Sequence, residues 1–299
     1  RARLEFAEGR KLAGWTAEGG VRMTVDGEPD RARDAAGETI SYTAPDGPLT
    51  VSAGKGEAAR LEDSRSRVEA REVAVDTAAK DVRASGGVLC LLKPRPGGAP
   101  VGFFSGGEEV FVTAGSLRSS EGGGRLRFES AVRAWQGEAS LQADALEVVE
   151  ATGEVTGRGG VSVSLPWPAK DTAAKRNVEA GGREMAYSPS LRTATFRGRS
   201  SVRAPRARLT AETVAVTLLE GKKELKDLRA EGQVAVSLDR YEARGGQAAY
   251  DPGAETLILT GAPVLLEKGR GETKADKLTF RLADDKILIE NKGQGRSTT

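Results

Sequence analysis

The sequence predicts an all-β protein built as a stack of about four repeats. Three observations carry that prediction. A glycine followed by an alternating apolar triplet recurs about every 65 to 75 residues. No long stretch shows apolar residues at helical spacing, and the nearest candidate, Ala59 to Val75, scatters its charges over every face. Glycine is abundant at 38 residues and proline modest at 12, which suits short strands joined by tight turns. A repeat unit of this kind buries its apolar face against its neighbours, so the architecture reads as a scaffold or an elongated binding surface.

The repeats can be followed in order. Gly20 leads into Val21, Met23 and Val25, and Gly37 to Pro45 carries an echo of the later units. Gly87 leads into Val88, Cys90 and Leu92. This second copy is the weakest, with a Pro/Gly insertion at Lys93 to Gly98 and a glycine run at Gly122 to Gly124. Gly160 leads into Val161, Val163 and Leu165, and Gly232 into Val234, Val236 and Leu238. Period-two alternation gives each strand one apolar face. The last two units extend further. Tyr187-Ser188-Pro189 matches Tyr250-Asp251-Pro252, with the tyrosines 63 residues apart, and each proline sets a turn. Thr195 to Gly198 matches Ile258 to Gly261, and Val214, Val216 and Leu218 match Leu278, Phe280 and Leu282. Domain organisation follows: divergent repeats over 1–150 and clearer repeats over 151–299, read as one continuous stack.

Composition excludes several functions. Aromatic residues make up 5% of the chain, which favours a thin interior of Val, Leu and Ala. Net charge is +2 with 29% charged residues and no basic stripe with interleaved aromatics, against nucleic-acid binding. There is no histidine and one cysteine, Cys90, so Ser-His and Cys-His nucleophiles, internal disulfides and Cys-based metal sites are out. Cys90 falls at an inward position of its strand. No Walker or Rossmann fingerprint is present; Gly157-Arg158-Gly159-Gly160 precedes a strand with no helix behind it. The carboxylates at Asp284-Asp285 fit a hairpin turn between Leu282 and Ile287, and Glu108-Glu109 forms no constellation with them. No catalytic residue, metal or cofactor is expected. These 299 residues predict no signal peptide or transmembrane run among themselves. The opening at Arg1 inside charged strand-like sequence predicts a processed or trimmed product.

Two facing sheets about 10 Å apart would bury the inward residue of each alternating pair. If the sheets splay, those rows line a groove: Val161, Val163, Leu165, Val214, Val216, Val234, Val236, Leu238, Leu257, Leu259, Leu278 and Phe280. The other reading of the same rows is a closed, dry core. Tyr187 and Tyr250 are expected either at the groove mouth or packed with a bonded hydroxyl. Arg203, Arg206, Arg208, Lys222, Lys223 and Lys226 are read as rim charges, either solvated or able to meet phosphates.

From Ala230-Glu231-Gly232-Gln233-Val234 onward the sequence resembles a known family. The run continues through Ala243 to Pro252 and Leu257 to Val264, and ends in Ala275-Asp276-Lys277-Leu278-Thr279-Phe280. A glycine-valine strand, an alanine-rich strand ending in tyrosine, a leucine-threonine-glycine turn and an alanine-aspartate-lysine-leucine strand follow in the order of the OstA-like, or LptA-type, domain of lipopolysaccharide transport. The match is good over about the last 70 residues, fair over the unit before, and weak over the first half. The resemblance implies an open, V-shaped, elongated β-jellyroll of antiparallel strands. It implies a non-enzymatic periplasmic bridge whose apolar groove holds the acyl chains of lipopolysaccharide between inner and outer membrane. It also implies edge-strand pairing with LptC-like or LptD-like jellyrolls or with a second copy. The edges expected to pair are the segment near Leu4-Glu5-Phe6 and the terminal strand holding Ile287, Leu288 and Ile289. The alternatives are a structural or adhesive β-solenoid with a closed core and a carbohydrate-active β-helix enzyme using carboxylates.

Overall fold

The computed structural model describes residues 1–7, 11–25, 33–94, 102–104, 107–167, 176–205, 207–219, 224–238, 241–267 and 271–291. Arg206, Lys222 and Lys223 lie outside the described residues. The described chain is almost wholly strand and falls into two compact units, Arg1–Gly157 and Arg158–Thr299.

The first unit holds β1 (Ala2–Phe6), β2 (Leu12–Val25), β3 (Arg33–Thr43), β4 (Pro48–Ser52), β5 (Ala59–Glu62), β6 (Ser66–Ala70), β7 (Glu72–Asp76), β8 (Val82–Leu92), β9 (Val110–Ser120), β10 (Arg125–Gln136) and β11 (Ala139–Val149). The stretch that came nearest to a helix, Ala59 to Val75, is three short strands, β5 to β7. β12 (Glu154–Trp167) begins in this unit and ends in the next. The second unit continues with β13 (Arg176–Ser188), β14 (Thr193–Ala204), β15 (Ala207–Leu218), β16 (Leu225–Leu238), β17 (Tyr241–Asp251), β18 (Thr256–Thr260), β19 (Val264–Glu267), β20 (Gly271–Lys274), β21 (Lys277–Arg281) and β22 (Lys286–Glu290).

The repeat glycines do not start strands, as their position before each triplet suggested. They sit in the middle of long ones. Register shifts fall between Glu18 and Val21 in β2, Ser85 and Val88 in β8, Arg197 and Ser200 in β14, and Glu231 and Val234 in β16. Each shift is a β-bulge, and a bulge bends its strand. Two consecutive left-handed residues make the bend: Gly86 and Gly87, Gly159 and Gly160, Gly198 and Arg199, Gly232 and Gln233. Only glycine enters that region without cost, which explains the recurrence of the signal. The intervening strands carry glycine for another reason. At Gly37 and Gly181 a Cβ would lie 2.7 Å and 2.8 Å from a neighbouring backbone carbonyl oxygen, with φ ordinary.

Because the bends line up from strand to strand, the ladder folds along a corner into two half-sheets. In the first unit β8 pairs with β7 before its bend and with β6 after it. In the second, β17 pairs with β19 before its bend and with β18 after it. The described strands pair antiparallel, so they make a β-jellyroll and not a parallel β-helix. The inner face of each half-sheet carries the core. Val68, Cys90, Val112, Ala134 and Leu141 form one buried inner row of the first unit. The strand ends farthest from the corner form the two margins of each unit.

Candidate functional site

The twelve residues expected to face the interior do so, and they divide evenly between the half-sheets of the second unit. Val214, Leu259 and Leu278 lie in one cross-strand row, with Ala230 and Ala248 between β15 and β18. Val216, Leu257 and Phe280 lie in the next row, which also contains Leu228 and Tyr250. The other half-sheet supplies Val161, Val163 and Leu165 from β12 and Val234, Val236 and Leu238 from β16. Ten of the twelve are only 0–8% exposed. Leu165 and Leu238, nearest the margin, are half-buried. The described inner face is therefore covered, with its partly accessible apolar residues at the margin.

The rows hold residues that alternation alone did not assign to the site. Met185 and Phe196 complete the row of Val214 toward β13. Val202, Leu209 and Leu265 share the row of Val236. Leu265 was hidden in the unbroken apolar run Val264-Leu265-Leu266, where period two cannot be seen.

Both tyrosines point inward near a margin. Tyr187 opposes Ala194, and Tyr250 opposes Leu228 and Leu257. Burial pushes both phenol pKa values up, and nearby Glu255 and Asp251 push Tyr250 the same way. These phenols stay neutral through the physiological range. Cys90 is fully buried, and its pKa is pushed up to about 12, first by burial and then by Asp63 and Glu150. A neutral, sealed thiol is a packing residue.

The rim cations are exposed. Arg203 lies 3.6 Å from Glu179 and opposes Arg208 across β14 and β15, while Lys226 stands at the start of β16. A hollow of about 460 Å³ is bordered by charged residues, among them Lys226, Arg229 and Asp251, and by Leu228, Tyr250 and Ile258. No group of three or more Cys, Asp or Glu side chains fit for a metal occurs among the described residues. No described helix is long and apolar enough to cross a membrane, which leaves strand crossings unaddressed.

At the end of the second unit β22 pairs with β21 along one side. Ile287 and Ile289 continue the inner rows, opposite Phe280 and Leu278. Leu288 and Ile289 are each 43% exposed. In the first unit β1 pairs with β2, and Leu4 and Phe6 are exposed.

Residues 177–286 match the family model described as LptA/(LptD N-terminal domain) LPS transport protein. That segment is similar to the LptA-type lipopolysaccharide transport family. The matched segment covers β13 to β21 and most of the inner rows just described. Among solved structures, the chain is similar to LptH from Pseudomonas aeruginosa, the LptA homologous periplasmic component of the lipopolysaccharide transport device. Identity is 13%, the TM-score 0.36, and the alignment covers 44% of this chain and 94% of that one. No curated protein matches the chain.

Proposed function

We propose that this chain is a non-enzymatic periplasmic component of a lipopolysaccharide transport bridge, with the acyl chains held between the half-sheets of the second unit. The single observation that supports this best is the coincidence of the LptA-type match, residues 177–286, with continuous inner apolar rows. Each methylene moved out of water onto such a row contributes about 0.8 kcal/mol, so a multi-acyl lipid needs no polar chemistry to bind. Rows of near-equivalent Val, Leu and Ala give near-equivalent sites along the strand-stacking direction, so a lipid moves among them over low barriers. The margin at Leu165 and Leu238 is the way in, since the deeper rows are covered by one another. Arg208 and Lys226 are exposed cations that would pair with lipid phosphates by charge-assisted hydrogen bonds. The exposed edge of β22 would add to the sheet of a partner jellyroll or of a second copy by strand pairing.

The covered inner rows also suit a second reading, a closed envelope scaffold. Lipid content separates the two. The full chain purified from lipopolysaccharide-producing cells should carry lipopolysaccharide, and Val236→Asp should lose most of it while its circular dichroism stays that of a β protein. Lipid-free wild-type protein from such cells would favour the scaffold.

A further inference from the structure

The first unit has a feature that the second does not repeat among the described residues. In a sheet folded along a corner, the two margins are where the interior opens. β8 ends and β9 begins at one margin, beside the β5–β6 turn: Lys93 N–H donates to the Arg65 carbonyl at 2.8 Å, and Lys93 Nζ to Glu62 Oε1 at 2.8 Å. The β11–β12 turn stands at the opposite margin, since β11 reaches it only after passing the corner. The connection from β8 to β9 nevertheless touches that opposite margin. Gly102 N–H donates to the Gly153 carbonyl at 3.0 Å. A Cβ on Gly102 would lie 2.9 Å from Val155 Cγ2, so the backbone is pressed onto a buried residue of β12.

The connection is also fixed back at its own margin. Gln136 at the end of β10 is 2% exposed, and its Nε2 donates to the Glu108 carbonyl at 3.0 Å. Between these anchors lie Phe103 and Phe104, 6% and 4% exposed, with ring centroids 4.5 Å apart. Arg65 and Glu150, 3.8 Å apart, tie the same two margins together. Two adjacent aromatic side chains on a turn are normally a solvent-facing liability; here both are removed from water.

We propose that Gly102-Phe103-Phe104 is a strap across the margins of the first unit, a gate that an acyl chain must displace before it enters that unit. This rests on the lipid-bridge reading above. The two phenyl rings are the chain's own apolar occupant, chemically equivalent to the hydrocarbon they exclude. Their displacement exchanges one apolar contact for another and breaks the backbone hydrogen bond from Gly102 to Gly153. Entry is thereby restricted without being forbidden, and the second unit, whose margin residues Leu165 and Leu238 are half-buried, accepts lipid first.

The test uses the full chain with a photo-reactive side chain at Val112, in the inner row of the first unit, or at Val236 in the second, and purified lipopolysaccharide as the probe. Wild type should give an adduct at Val236 and little at Val112. Phe103→Ala with Phe104→Ala should raise the Val112 adduct at least five-fold and leave Val236 unchanged. Equal labelling at Val112 with and without the two rings, alongside labelling at Val236, would overturn the strap as a gate. No labelling at Val236 in either protein would instead remove the lipid-bridge reading itself. Hydrogen exchange on the wild type covers the case in which the double variant fails to fold. Lipopolysaccharide should speed exchange of the Gly102 amide relative to its neighbours in β9, and an unchanged or slowed rate would overturn the proposal.

Discussion

Two kinds of glycine shape this molecule, and they answer differently to substitution. Gly87 has φ +86° and open space where a Cβ would go. Gly181 has ordinary φ, but its Cβ would lie 2.8 Å from the Val161 carbonyl oxygen. Asparagine tolerates the left-handed region and is larger than alanine. Gly87→Asn should therefore cost under about 1 kcal/mol, and Gly181→Asn about 1–3 kcal/mol, in urea unfolding. Equal costs would contradict this division. Cys90 gives a pH prediction. A thiol kept protonated by burial stabilises the fold fully below its ordinary pKa of about 9 and loses that contribution as pH rises toward about 12. Tyr187 and Tyr250, also raised, act with the same sign at higher pH. The wild type should lose more stability between pH 8 and 10.5 than Cys90→Ala does, and iodoacetamide should leave Cys90 unmodified until the protein unfolds. The glycines and Cys90 were legible in the sequence as positions, but not as reasons. A glycine before an apolar triplet looks the same whether it begins a strand or bends one, because the residues before it alternate too.

At the level of elements, alternation placed Val161, Val163, Val234, Val236, Leu278 and Phe280 on inner faces, since period two maps directly onto the two sides of a strand. It missed Leu265 inside an unbroken apolar run, and it missed Phe103 and Phe104. A Pro/Gly insertion carries no periodicity, and the hydrogen bonds that fix the residues after it, Gly102 to Gly153 and Gln136 to Glu108, join points apart in the sequence. The turn at Asp284-Asp285 was legible from turn chemistry, and Lys286 closes it with a 3.1 Å ion pair to Asp284. β22 is the element whose role is most open to test. Its edge beyond β21 should pair with a partner strand, so a photo-probe at Lys286 should cross-link the chain to a second jellyroll or to a copy of itself. Replacing the exposed Leu288 and Ile289 with lysine should abolish that cross-link, because charge on an edge strand opposes pairing. The fold should survive, since neither side chain is buried. A cross-link that persists at full yield would contradict the role given to this edge.

Over the whole molecule, the family resemblance was readable where the order of elements was intact, and the family match covers that region, residues 177–286. The first unit has the same bent strands, with shifts between Glu18 and Val21 and between Ser85 and Val88; both units contain split strands, and the first adds the β8–β9 insertion. These interruptions dilute the repeat in sequence more than in structure, because a bend requires only two left-handed residues and Ser130-Ala131 makes one without any glycine. What binds between the half-sheets is the central claim. The most direct measurement is photo-crosslinking in living cells, with the probe at Val236, which is buried, and a control at its exposed neighbour Ser237 on the opposite face. The lipid-bridge account predicts a lipopolysaccharide adduct at Val236 and none at Ser237. An absence of lipid adduct at both positions would contradict it and leave the inner rows as a closed core.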